Sequence, residues 1–275
     1  MGINENVIPA WLDRTHPNCR RWEKSRRLAL ERGDFVKSII QNYVKCSGLR
    51  VLDLGSGEGG TSFILSKDNN VVSFDISLLR LKRQDNDGKY QRINGNALDL
   101  PFKPGTFDLI ILQDVIEHLT DTKLFIQKLK SLLMSDGIIY LSTPNKLSFL
   151  NFIADPHWGL PFISILKRDK IKKYFLKYFR KNETNRKDIA QLLSLNDIKK
   201  IFGFDFKINL DTKYSVKKLF EGHKGIVWSD FHIFLIDTIK RLHLDKIILK
   251  IVNDKEGFVN KYLNPTFYFI LIKTG

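Results

Sequence analysis

Val51-Leu52-Asp53-Leu54-Gly55-Ser56-Gly57-Glu58-Gly59-Gly60 decides how this 275-residue chain is read. An apolar run ends in closely spaced glycines, and residues 61–67 follow with helical character. Glycines at a strand-to-helix turn let the backbone pass close to a ligand, and the helix start offers N–H groups to it. The spacing Gly55-x-Gly57-x-x-Gly60 also satisfies the dinucleotide fingerprint. Alone the pattern is weak, because a glycine turn that binds nothing has the same spacing.

Outward from this turn, short apolar runs alternate with helical patterns. Residues 50–54, 71–74, 90–93, 109–112 and 138–141 read as strands, and continuous apolar character suits strands covered on both faces. Residues 121–134 carry a helical repeat, with Asp121 at the start and Asp136-Gly137 as a stop. Strand–helix–strand alternation predicts parallel strands with crossover helices, a doubly wound α/β sheet. After Pro144 the rhythm changes. Residues 147–193 are rich in Lys and aromatics without a clear strand, and 194–202 read as a helix capped by Ser194 or Asn196 and stopped by Gly203. Residues 204–210 alternate as a strand, 213–260 are mostly helical, and 267–272 close the chain as a strand. The expected organisation is an N-terminal helical lid over 1–34, a core over 35–146 and a helical cap over 147–193. Residues 194–275 complete the sheet around a second helical insertion at about 213–260.

Asp75 ends the second strand, where a carboxylate can accept hydrogen bonds from both hydroxyls of a ribose. A helix N-cap is the plainer role for the same residue. Beyond it run NGNALDLPF from Asn94 to Phe102, FDLIILQDVIEHL from Phe107 to Leu119 and GIIYLSTPN from Gly137 to Asn145. With VLDLGSGEGG and VVSFD in front of them, this ordered set resembles the class I S-adenosylmethionine-dependent methyltransferases. The likeness is strongest to the branch holding the ubiquinone-biosynthesis O-methyltransferases and related small-molecule enzymes. It covers about residues 35–145 and resumes at 193–206.

The resemblance implies a seven-stranded Rossmann-like sheet and S-adenosyl-L-methionine as cofactor. It assigns Asp53, Gly55, Ser56, Gly57 and Gly59 to the methionine half, Asp75 to the ribose and Ile76 to the side of the adenine. Asn96-Ala97 stands where the family often has Asp and a small residue, and the Asn carbonyl can still meet the adenine amino group. Gln113 matches the residue facing the sulfonium end. Such a cofactor carries an activated methyl group, so the protein must align a nucleophile and exclude water. A hydroxyl nucleophile needs help losing its proton, which makes His118, after the fourth strand, and His157, at the start of the cap, the candidate bases. Each also has a purely structural reading in loop packing. His16, His223, His232 and His243 show no ligand pattern, and without HExxH or paired CxxC no metal is expected.

Composition bounds the remaining choices. Two cysteines, Cys19 and Cys46, make a disulfide scaffold untenable and point to a reducing, cytoplasmic compartment. No apolar run approaches the ~20 residues of a spanning helix, and residues 1–14 lack a signal-peptide pattern. Net charge is +15, distributed as +5 over residues 1–50, −1 over 51–150 and +11 over 151–275. An anionic partner should therefore meet the flanks. In 167–181, lysines and arginines interleave with Ile171, Tyr174, Phe175, Tyr178 and Phe179, one face of a regular helix. A docked cap helix with a solvated basic face is one reading, a peripheral contact with an anionic membrane another. Nucleic acid is disfavoured, because no recognition module accompanies the charge. Residues 20–27 form a second basic patch. The expected function is O-methylation of a small-molecule, glycan or lipid-linked acceptor. An RNA methyltransferase, a nicotinamide-dependent dehydrogenase and a non-catalytic binding protein are the alternatives. The dehydrogenase leaves NGNALDLPF and DVIEHL unexplained.

Overall fold

The computed structural model describes residue 15 and residues 19–85, 87–179, 181, 189–222 and 230–274. Seven strands form one sheet: β1 (Arg50–Leu54), β2 (Asn70–Asp75), β3 (Tyr90–Asn94), β4 (Phe107–Gln113), β5 (Leu133–Pro144), β6 (Phe206–Leu210) and β7 (Thr266–Lys273). Their order is β3-β2-β1-β4-β5-β7-β6. Strands β1 to β5 pair in parallel, as alternation with helices requires. The last strand, β7, runs antiparallel to both β5 and β6. The segment between β6 and β7 returns the chain to the same end of the sheet, so β7 enters the other way round.

Period-two alternation sorts each strand onto two cores. Leu52, Leu54, Ile110, Leu112, Ile139 and Leu141 pack under α4 (Thr122–Leu132) and α8 (Leu195–Phe202). Val51, Leu109, Ile111, Ile138 and Tyr140 pack on α1 (Cys19–Ile40). Each such side chain, fully buried, contributes about 1.5–3 kcal/mol. Helix α1 crosses the expected lid boundary at residue 34, because Phe35, Val36, Ile39 and Ile40 are core residues. It lies close on α2 (Gly60–Leu65), where a Cβ at Gly60 would stand 2.2 Å from the Ala29 carbonyl oxygen.

Helix α8 starts at Ser194 through a reciprocal capping box with Asp197. Strand β5 begins at Leu133 rather than after Gly137, because buried Leu133 already pairs with Phe107 ahead of a register shift.

The first insertion contains α5 (Phe149–Ile153), a 3-10 turn (Ile163–Ile165), α6 (Arg168–Lys170), a π-helical turn (Ile171–Leu176) and α7 (Lys177–Phe179). The π turn divides the expected aromatic face. Its wider winding turns Ile171, Phe175 and Leu176 inward with Trp158 and Ile189, while Tyr174, Tyr178 and Phe179 stay exposed. The second insertion contains α9 (Thr212–Phe220), α10 (Asp230–Arg241), α11 (Asp245–Ile251) and a π-helical turn (Val259–Leu263). Buried Asn145, just past β5, donates from Nδ2 to the carbonyls of Asn260, Lys261 and Asn264, tying this insertion to the sheet edge. Among the described residues no helix is long and apolar enough to cross a membrane.

Candidate active site

Strand order reverses between β1 and β4, and a doubly wound sheet binds ligands at the C-terminal strand ends of that switch point. The two loops leaving these ends touch. A Cβ at Gly55, whose φ is +75°, would lie 2.4 Å from Cγ2 of Val115, so glycine is required there. Gly57, at φ +54°, has only the Gly55 oxygen at 4.0 Å near its missing Cβ, which leaves open space above the turn.

A polar frame holds this turn from below. Gln84, fully buried, donates to Ser56 Oγ at 3.1 Å and to the Gly57 carbonyl at 2.9 Å. Ser73 Oγ lies 2.7 Å from Ser56 Oγ and 2.8 Å from Gln84 Oε1. Ser56 thus belongs to the frame. From α1, buried Arg26 donates to the Glu58 carbonyl at 3.1 Å and to Asp85 at 3.2 Å. Sequence reasoning missed Gln84 altogether and placed Arg26 only in a basic patch, because both act across the fold rather than within a motif. His16 and His223 lie outside the described residues, as does most of the expected lid up to residue 18.

Asp75 is buried at the tip of β2. One carboxylate oxygen accepts from the Gly57 amide at 2.9 Å and the other, at 2.7 Å, from the amide of Ser77, the N-cap of α3 (Leu78–Arg83). A carboxylate has about four acceptor positions, so each oxygen keeps one for a further donor. Ile76 beside it is 74% exposed, an apolar surface open to a ligand. Asn96 and half-buried Ala97 follow β3, and Asn96 Oδ1 accepts from Leu98 N at 2.9 Å. At the end of β4, Gln113 and Thr61 of α2 bond through their side chains at 3.1–3.2 Å.

Asp53 points to the α1 side of the sheet and accepts from Ser62 Oγ at 2.6 Å. Its carboxyl is pushed up to about 6, by burial first, with the Ser62 bond opposing and the Asp75 charge adding. Between the unfolded value near 3.9 and the folded value near 6, the folded state binds more protons. Its unfavourable contribution is therefore full above about pH 6 and fades as pH falls towards 4. Asp53→Asn should flatten the rise in unfolding free energy between pH 7 and pH 5, measured by urea titration. Parallel wild-type and variant profiles would contradict the assignment.

On the other side of the crevice, the chain leaves β4 through Asp114, at φ +53°, into a 3-10 turn (Ile116–His118). Asp114 is pushed up to about 6, chiefly by burial. Glu117 is buried, and burial followed by the Asp114 charge holds its carboxyl well above the usual range. Its Oε2 accepts from Thr143 Oγ1 at 3.1 Å, while its Oε1 has no hydrogen-bond partner. The cap clasps this turn: Arg168 donates to the carbonyls of Glu117, Leu119 and Ile189, and the Gln191 amide donates to Glu117 O. The structure brings both candidate bases together here. The rings of His118 and His157 meet edge to face at 5.3 Å, and His157 Nε2 lies 4.0 Å from Glu117 Oε1. Asp155, accepting from the His157 and Trp158 amides, shapes the loop that carries His157.

A family model described as a methyltransferase domain matches residues 45–207. A probable S-adenosylmethionine-dependent methyltransferase of Mycolicibacterium smegmatis is 30% identical over 153 residues, 54% of this chain and 58% of that protein. A ubiquinone biosynthesis O-methyltransferase of Neisseria meningitidis is 26% identical over 136 residues, 45% of this chain and 57% of that protein. The matches thus span less than two thirds of either relative. Among solved structures, phosphoethanolamine N-methyltransferase 2 of Haemonchus contortus, with S-adenosyl-L-methionine, superposes with a TM-score of 0.55. It is 15% identical, over 98% of this chain and 61% of that one, and so shares the fold.

Proposed function

The chain belongs to the class I S-adenosylmethionine-dependent methyltransferase family, and on that premise we propose that it methylates a hydroxyl of an amphipathic, lipid-linked acceptor. The residues around the glycine turn suit the cofactor. The spare acceptor positions of Asp75 suit two ribose hydroxyls, the open space over Gly57 suits close passage of a ligand, and exposed Ile76 suits an adenine face. Asn96, Ala97 and Gln113 line the same strand ends. Bound there, S-adenosylmethionine supplies a methyl group already activated by a positive sulfur.

The protein's work is positioning and proton removal. An acceptor oxygen has to be held in line at about 3–3.5 Å with water excluded. As its bond to the methyl carbon forms and the carbon–sulfur bond breaks, the hydroxyl proton passes to His157 Nε2 or to the neighbouring His118. Arg168 and Gln191 keep that turn fixed while the cap carries the acceptor. The relatives' names include both O- and N-methyltransferases, so the choice of oxygen rests on this histidine pair.

One observation carries the acceptor class. The cap exposes Phe149, Ile153, Phe162, Tyr174, Tyr178 and Phe179 together with Lys172, Lys173 and Lys177. Apolar rings among lysines fit the boundary of an anionic lipid surface. The test uses labelled S-adenosylmethionine with a polyprenylated phenol in phosphatidylglycerol vesicles, against the same phenol without its chain. Label should enter the lipid extract. Reversing charge at Lys172, Lys173 and Lys177 should weaken vesicle binding about a hundredfold or more, at about 1 kcal/mol per basic residue. Unaltered vesicle binding with equal methylation of the soluble phenol would overturn the lipid reading.

A further inference from the structure

We propose that Glu117, His118 and His157 form a binding site for a divalent transition-metal ion, of the zinc, cobalt or manganese kind, on the acceptor side of the crevice. Metal binding stands on its own geometry; only its use in catalysis rests on the methyltransferase reading.

Each of the three residues offers one ligand atom, and these atoms lie within 4.8 Å of one another. The second, independent observation is Glu117 Oε1, a buried carboxylate oxygen without a hydrogen-bond partner, 4.0 Å from His157 Nε2. A buried polar atom left unpaired is costly, and a cation relieves that cost. Metal–ligand bonds near 2.0–2.2 Å call for ligand atoms about 3–3.5 Å apart. Closing a separation of 4.8 Å to that range takes about 1.3–1.8 Å, and His157, the exposed member on a surface loop, has the most freedom to move. Two imidazoles and one carboxylate favour borderline dications over magnesium or calcium, which prefer all-oxygen sites.

The surroundings also suit ligation. Thr143 holds the other carboxylate oxygen, and Arg168 and Gln191 hold the Glu117 backbone, so the ligand is oriented before any ion arrives. Three protein ligands leave coordination positions open for water or a substrate oxygen. An acceptor hydroxyl bound at such a position would lose its proton more readily, to solvent water, and the two histidines would then serve as ligands in place of the proton-accepting role they have without an ion. The sequence patterns that were absent, HExxH and paired CxxC, could not report this group, since it joins the turn after β4 to a loop of the cap.

The test is a cobalt(II) titration of the tag-free full chain, stripped with chelator and without cofactor or acceptor. One cobalt per chain should give a visible ligand-field band, displaced by zinc and not by equal magnesium or calcium. His157→Ala, at a surface position, should weaken cobalt binding at least tenfold, and Thr143→Val should weaken it about tenfold by removing the hydrogen bond that orients Glu117. S-adenosylhomocysteine affinity should be unchanged in His157→Ala. Absence of stoichiometric cobalt binding, or wild-type affinity in His157→Ala, overturns the site even if S-adenosylhomocysteine binds. Cobalt binding without S-adenosylhomocysteine binding would instead uphold the site and refute the cofactor reading.

Discussion

Asp75→Ala should weaken S-adenosylhomocysteine binding by about a hundredfold or more, read by calorimetry. Two hydrogen bonds from ribose hydroxyls to a carboxylate are at stake, each contributing about 1.5–3 kcal/mol, and 1.4 kcal/mol is a factor of ten. The substitution also removes the acceptor for the Gly57 and Ser77 amides, so the turn itself loses a tether. Asp75→Asn separates the two contributions: it keeps one acceptor oxygen for the backbone and loses the charge. It should fall between wild type and Asp75→Ala in affinity while melting close to wild type. An unchanged dissociation constant in Asp75→Ala would remove the residue from the site.

The second large effect concerns turnover. His157→Ala and His118→Ala should each slow methyl transfer to a hydroxyl acceptor by about 10²–10⁴-fold, the usual contribution of a positioned proton acceptor. Cofactor affinity should stay near wild type, because the histidines lie across the crevice from Asp75 and Ile76. Single-turnover rates with labelled cofactor and the vesicle-borne phenol measure the loss. If both variants keep full turnover, alignment alone drives the transfer and neither histidine takes part in it. Should cobalt binding fail while these losses appear, the histidines act as bases rather than ligands.

The parts of the fold that local pattern controls were legible. Continuous apolar runs at 50–54 and 109–112 fall within β1 and β4, and Asp121 and Ser194 are the caps their side chains suggested. The π-helical turn was not legible, because its winding follows from docking Ile171, Phe175 and Leu176 with Trp158 and leaves no mark in a helical repeat. Nor was the antiparallel β7, whose direction depends on where a long insertion returns the chain. In the site, the glycines and Asp75 announce themselves by spacing along strand ends. Gln84, Arg26, Thr143 and Arg168 do not, since each reaches a loop distant in sequence through a single long or buried side chain. His118 and His157 could be named singly, but their meeting depends on the cap folding back on the turn after β4.

The central claim, that the glycine turn and Asp75 form a site for S-adenosylmethionine, is tested most directly by titrating the full chain with S-adenosylhomocysteine and, separately, with NAD⁺ in a calorimeter. One S-adenosylhomocysteine per chain should bind, with no heat from NAD⁺. Binding of NAD⁺ and not of S-adenosylhomocysteine would contradict the account.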